Sequence, residues 1–557
     1  MDLGDTKKSL HGIWLRADVM AASLGINVLG LALPIAILQM YDRVIRHHSL
    51  STMAALSLGV FAAFTLEFAL RVLRAHILSA EGARYDHRES CLTFERMLAA
   101  DIDEFKKETP GVHADRFQAI QAIRTFYCQA SALLADVPFI FVFVALIAVI
   151  AGWMAIVPIV LFATFTSLGI FIARRLMIET GRRESTDVKR HNFLVECIGG
   201  IGTVKALGLE AVMQRRHERL QEEAADAFGT IARVTAQTQS IAGELAQTAS
   251  VLIVIAGAVA VVNGALTIGG LAATTILTGR LLQPVLKGLG LWSRYPFIRL
   301  AEAKMERMQM PTPRLAGDRP LPNRAAALKL ESVSFRYEDG TRDAVDGVTL
   351  EIPARSYIGI TGQTSSGRTT LLKLVNGLLT PTTGSIRYDD VALSIYAPQE
   401  LRRQMALVPT SPTIYPGTLL ENLTLFESGP VKRRALALSR ALGLEDFVAS
   451  LSRGLETQLT GTADTPMGVA QRISIVRALA QNPRVILFDM ANVALDHEAD
   501  RLLLSYFARR KGRRAAVFVT DRPSYLRMCD TVYEMVDGKL KLRTAVPEST
   551  PVSKLAG

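Results

Sequence analysis

Gly362-Gln363-Thr364-Ser365-Ser366-Gly367-Arg368-Thr369-Thr370 decides how the second half of this chain folds. It follows an apolar run, Tyr357-Ile358-Gly359-Ile360-Thr361, that reads as a strand. It opens a stretch with Leu371, Leu372, Leu374 and Val375 at helical spacing. Strand, glycine-bearing turn and helix in that order make a phosphate cradle, in which backbone N–H groups and the helix N-terminus face anionic oxygens. Arg368 stands where such loops carry a lysine. The segment is built to hold a nucleotide and altered where it would consume one.

Outward from the cradle, runs at 333–337, 357–361, 485–489 and 516–520 read as strands alternating with helical patterns. That alternation predicts an α/β domain with a parallel sheet over residues 327–543. A proline-bearing linker, 311–326, precedes it, and a polar tail, 544–557, follows.

The first half has a different character. The chain has 557 residues, more than one core organises, with 49% hydrophobic residues and a mean hydropathy of +0.24. Its apolar residues crowd before about residue 290, in stretches at 19–40, 54–73, 132–150, 154–172, 242–262 and 266–286. A membrane-crossing helix needs about 20 mostly apolar residues, so six spans are expected within a transmembrane domain over 19–310, after an N-terminal cytoplasmic segment at 1–18. The segments 74–131 and 173–243 are charged and helix-like. Arg174, Arg175, Arg182, Arg183, Lys189 and Arg190 crowd just past the fourth stretch, which places these segments and both termini in the cytoplasm.

The net charge of +11 is accounted for by such basic cytoplasmic loops, and no nucleic-acid recognition motif is present. Cys91, Cys128, Cys197 and Cys529 are scattered, without metal-ligand or disulfide-framework spacing. No cleavable signal peptide is evident. Glu67 and Arg71, four apart in the second stretch, are set to pair on one helix face.

Six spans, two long cytoplasmic extensions and a C-terminal P-loop domain together resemble an ABC exporter half-transporter, a multidomain membrane protein. Its six-helix α transmembrane domain is followed by an α/β P-loop nucleotide-binding domain. The membrane half is most similar to type I secretion ATPases: Met40-Tyr41-Asp42-Arg43-Val44, 94–105 and 193–208 resemble that group's segments. The resemblance implies ATP and Mg²⁺ as cofactors and a second half-transporter as partner, in a homo- or heterodimer. It also implies a periplasmic adaptor and an outer-membrane channel, and a location in the bacterial inner membrane.

By the same resemblance, Tyr337 takes the place of the aromatic that stacks on adenine. Gly362, Ser365, Ser366, Gly367, Arg368, Thr369 and Thr370 form the cradle. Thr369 and Asp489 are the magnesium positions, Asp489 ending the run Val485-Ile486-Leu487-Phe488. Asp496 matches the D-loop aspartate, and 416–418 with 421–423 match the segment that meets the coupling helices.

The departures are specific. Met490 stands where the family places the glutamate that polarises the attacking water, and a thioether cannot accept that proton. Thr410 replaces the glutamine that senses the γ-phosphate, and Asp521 replaces the switch histidine. Ser365 replaces an inner glycine. Arg368 keeps the lysine's charge without its compact ammonium. Pro466, Met467, Gly468 and Val469 occupy the signature motif, fixed in register by the segment 471–479 that follows it. The expectation is weak or absent Mg-ATP binding and no useful turnover. Three roles stay open: a pseudo-ATPase half beside a catalytic partner, a homodimeric membrane scaffold or regulator, and a competent exporter with unusual residues.

Overall fold

The computed structural model describes residues 16–102, 105, 109–306, 317–322, 327–338, 340–462 and 465–543. The N-terminal segment up to residue 15, most of the expected linker and the tail from 544 lie outside the described residues, as do the side chains of Arg174, Arg175, Arg182 and Arg183. The chain divides into two compact units, Met1–Ala99 with Lys106–Met310, and Ala100–Phe105 with Pro311–Gly557.

Among the described residues, the first unit is helical throughout, without a strand. Helix α1 (Ala17–Leu29) and α2 (Ala32–Gln39) share one apolar stretch, interrupted at Gly30 and continued by a π-helical turn, Met40–Val44. That turn coincides with the secretion-type segment, and no local pattern of residues marks it. Long helices follow: α3 (Leu50–Ala99), α4 (Pro110–Ala151), α5 (Ile156–Gly199), α6 (Glu210–Val262) and α7 (Ile268–Glu306).

Four segments among the described residues are long and apolar enough to cross a membrane: Ala17–His47, Leu50–Ala99, Gly111–Phe165 and Glu210–Val262. The third contains the expected stretch 132–150 and most of the next, parted by the 3-10 turn Gly152–Ala155. The expected stretch 266–286 lies in α7, where Arg280 and several threonines and glycines dilute the apolar run. Ile147, Ala249, Leu277 and Leu281, wholly buried, tie α4, α6 and α7 together.

Polar pairs sit inside this bundle. The expected Glu67–Arg71 pair is present, with Arg71 Nε 3.0 Å from Glu67 Oε1. Arg280 Nη1 of α7 reaches the same oxygen at 3.1 Å, a partner that the local sequence pattern could not supply. Arg74 Nη1 meets Asp136 Oδ1 at 2.8 Å and also donates to Ser23 Oγ. Such groups are costly in hydrocarbon and persist where they satisfy one another.

The second unit carries two principal sheets. Strands β1 (Leu328–Phe335), β2 (Val345–Ile352), β4 (Thr383–Tyr388) and β5 (Val391–Ala392) form an antiparallel sheet in the order β2-β1-β4-β5. Between β2 and β4 in sequence, β3 (Tyr357–Gly362) joins the other sheet. That sheet adds β6 (Met405–Val408) and, past the short β7 (Gly417–Thr418) and β8 (Gln458–Leu459), β9 (Val485–Asp489) and β10 (Ala515–Val519). It ends with β11 (Thr531–Val536) and β12 (Lys539–Leu542), in the order β12-β11-β3-β10-β9-β6, parallel except at the β11–β12 edge.

Every residue of β9 and β10 is buried, the pattern of parallel strands covered on both faces. The first strand runs earlier than its sequence suggested. It starts at Leu328 and ends at Phe335, leaving Tyr337 in the following loop.

Candidate functional site

The C-terminal ends of β3, β9 and β10 lie side by side, the edge at which open α/β sheets bind ligands. From β3 the chain passes through the cradle into helix α8 (Arg368–Val375). Two glycines make that turn feasible. A Cβ on Gly362, at φ 149°, would stand 2.3 Å from Met535 O, and one on Gly367, at φ 102°, 2.0 Å from Ala344 O. Ser365 adopts φ 66°, in the left-handed region that glycine occupies without strain.

Ser366 Oγ is buried and has no hydrogen-bond partner. An orphaned hydroxyl inside a phosphate cradle is an observation of fit, since a phosphate oxygen would satisfy it. The magnesium positions fit as well: Thr369 Oγ1 donates to Asp489 Oδ1 at 3.1 Å across the cradle, at the end of β9. Burial pushes the Asp489 carboxyl above its ordinary range, and the Thr369 hydrogen bond pulls it part of the way back. When bound, Mg²⁺ would bring positive charge to this carboxylate and to the phosphates.

Tyr337, 38% exposed, lies at the surface beside the cradle. Its hydroxyl lies 3.2 Å from Thr370 Oγ1, and its ring packs edge-on against Phe335.

Arg368, Asp521, Thr410 and Met490 also converge here, and the polar side chains among them are engaged within the chain. Arg368 is 7% exposed, and its Nη1 is 3.0 Å from Asp521 Oδ1. The same oxygen accepts from Thr361 Oγ1 at 2.9 Å, a residue that sequence reading passed over because it belongs to no motif. Thr410 Oγ1 donates to the backbone carbonyl of Asp489 at 2.8 Å. Met490 turns at φ 48°, with its N–H on Val519 O.

The signature-like residues form a separate group. Pro466 precedes helix α9 (Met467–Ala480), and its carbonyl accepts from Val469 N and Ala470 N. Met467 is 57% exposed at the helix start, Val469 is buried, and Gly468 lies close against Ala494 O. Asp496 caps helix α10 (His497–Ala508) by accepting from Ala499 N at 2.7 Å. Thr418 and Glu421 make a capping box, and buried Asn422 holds the Tyr415 backbone.

Two family models match this arrangement in order: the ABC transporter transmembrane region over residues 19–285, and ABC transporter over residues 345–492. This chain is an ABC exporter half-transporter. It is a multi-pass inner-membrane protein with its nucleotide-binding domain in the cytoplasm.

Relatives include the alpha-hemolysin translocation ATP-binding protein HlyB of Escherichia coli, 25% identical over 529 residues, covering 94% of this chain and 74% of the relative. The cyclolysin secretion/processing ATP-binding protein CyaB of Bordetella pertussis shows the same identity and coverage. The leukotoxin translocation ATP-binding protein LktB of Mannheimia glucosida is 26% identical, with the same coverage. Among solved structures, a bacterial Atm1-family ABC exporter with ATP bound has the same fold. Its TM-score is 0.84 at 20% identity, with 94% of this chain and 95% of that one covered.

Proposed function

We propose that this half-transporter is a pseudo-ATPase that supports type I secretion-like export of a protein or peptide, beside a second half-transporter that carries the catalysis. The observation that carries this reading is Met490, placed directly after Asp489 at the end of β9. No carboxylate stands there to take a proton from water. Positioned acid–base groups supply typically 10²–10⁴-fold in rate, so their loss leaves little turnover.

Two further groups support it. Thr410 is held on the Asp489 carbonyl, and Asp521 on Arg368. The cradle itself is retained, so weak nucleotide binding without consumption is the expected behaviour. Toxin translocation proteins among the relatives support a polypeptide cargo, with an adaptor and an outer-membrane channel as further partners.

The test is Mg-ATP hydrolysis by the detergent-purified chain, beside a Met490→Glu, Asp521→His double variant. No turnover by the unmodified chain is expected. Robust turnover that Asp489→Asn abolishes would overturn the reading in favour of a competent exporter.

Pro466 favours a second reading, a homodimeric scaffold without transport. At the start of α9 it offers neither a hydroxyl nor an N–H to a nucleotide held by a partner chain. Stable self-association, with no intact half-transporter co-purifying from the native membrane, would select it.

A further inference from the structure

The basic side chain of the cradle is already paired before any nucleotide arrives. Arg368 opens α8, is almost wholly buried, and spends Nη1 on the Asp521 carboxylate at 3.0 Å. Thr361 Oγ1 fixes the same carboxylate oxygen at 2.9 Å, so two donors, one charged, hold it beside the mouth of the cradle. Asp521 itself is 53% exposed, placed two residues beyond β10 at the ligand-facing edge of the sheet.

In a cradle of this kind the backbone N–H groups take the α- and β-phosphates, while the basic side chain after the last glycine reaches the β- and γ-phosphates. Here that basic side chain is held by an anion of the chain's own. The inner part is not: Ser366 Oγ is buried without a partner. The site therefore offers donors to two phosphates and presents a carboxylate toward the third.

We propose that the cradle is a nucleoside diphosphate site, in which the Asp521 carboxylate stands in for the terminal phosphate of a triphosphate. A diphosphate enters with the Arg368–Asp521 pair intact. A triphosphate has to break that pair, or bring its γ-phosphate against a fixed negative charge. This deepens the pseudo-ATPase reading and rests on it for the claim that the cradle holds nucleotide. It also gives Arg368 and Asp521 one shared reason: each supplies the charge that the other needs.

The experiment is equilibrium binding of ADP and of a non-hydrolysable β,γ-imido ATP analogue to the detergent-purified full chain, with Mg²⁺ present. ADP is expected to bind about tenfold tighter or more, the scale of a like charge met at roughly 4 Å in a partly solvated site. Asp521→Asn, which keeps the shape and drops the charge, should raise affinity for the triphosphate analogue and collapse the preference. Thr361→Val, which loosens the carboxylate without removing it, should move the preference the same way by less. It serves as the second variant if Asp521→Asn does not purify as a folded protein.

Equal or tighter binding of the triphosphate analogue by the unmodified chain overturns the proposal. So does an unchanged preference in the variants, and so does binding of neither nucleotide. ATP turnover, followed separately, reports on the pseudo-ATPase reading: turnover with an intact diphosphate preference sinks that reading alone, and loss of the preference without turnover sinks only this one.

Discussion

Thr369 Oγ1 donates to Asp489 Oδ1 at 3.1 Å, joining the first turn of the cradle helix to the end of strand β9. Without nucleotide, this hydrogen bond is part of what compensates a carboxylate that is 5% exposed. The compensation is incomplete, because burial still holds the Asp489 carboxyl above its ordinary value of 3.8.

A group whose folded-state pKa is raised stabilises the fold while protonated, and that contribution is lost as pH climbs through the raised value. Asp489→Asn keeps an acceptor for Thr369 and never ionises. The variant should therefore unfold at a higher temperature than the parent near pH 7, by roughly 2–4 °C for each 1 kcal/mol relieved in a domain of this size. The gap should close as pH falls toward the ordinary carboxylate range. Thermal unfolding of the nucleotide-free chain across pH checks this; a gap that widens on acidification would refute the assignment.

Ser365 makes a second, opposite use of the cradle's backbone. At φ 66° a serine pays for a conformation that glycine adopts freely, a cost on the order of 1 kcal/mol. Ser365→Gly should consequently stabilise the nucleotide-binding domain slightly, after allowance for glycine's larger unfolded-state entropy. Gly367→Ala should do the reverse and much more strongly, since its Cβ would lie 2.0 Å from Ala344 O. Comparing the two unfolding midpoints tests whether strain is confined to Ser365.

Much of this site was legible because its parts are contiguous. The cradle is one unbroken stretch, and an apolar strand ending in an aspartate identifies itself. The α/β domain followed from runs that parallel packing forces to be apolar throughout. What stayed hidden were pairings between distant segments. Thr361 and Asp521 are 160 positions apart, and Arg280 is 213 from Glu67. Nothing in local periodicity marks such partners. The π turn at Met40–Val44 was hidden for another reason: it is a local change of helical winding that leaves the apolar composition untouched.

Within the transmembrane unit, Glu67 serves two arginines and is only 6% exposed. Glu67→Gln leaves the Arg280 guanidinium short of a counter-charge in a buried setting. Removing one partner of a buried pair costs about 3–5 kcal/mol, so the yield of monodisperse protein in detergent should fall sharply. Glu67→Gln combined with Arg280→Met should recover much of that loss, because the guanidinium left without a counter-charge is then gone. A double variant no better than the single one would show that Arg71 is the partner that matters.

Asp42 explains why the secretion-type segment contains an acid. From the π turn its Oδ2 accepts from Thr267 Oγ1 at 2.7 Å, and its Oδ1 accepts from Gly269 N at 3.1 Å. Thr267 Oγ1 in turn accepts from Gly270 N, so two residues cap the start of α7 where backbone N–H groups have no helical partner. The carboxylate also lies at the positive end of a 39-residue helix. Asp42→Ala should cost about 1 kcal/mol, the usual worth of such a cap, and Asp42→Asn less because the amide oxygen still accepts. Gly269→Ala should cost more than either, since its Cβ would fall 2.6 Å from Leu38 O and 2.7 Å from Asp42 Oδ1. Unfolding midpoints of the three variants in one detergent should fall in that order; a harmless Gly269→Ala would mean that the first and last apolar helices are not joined through this contact.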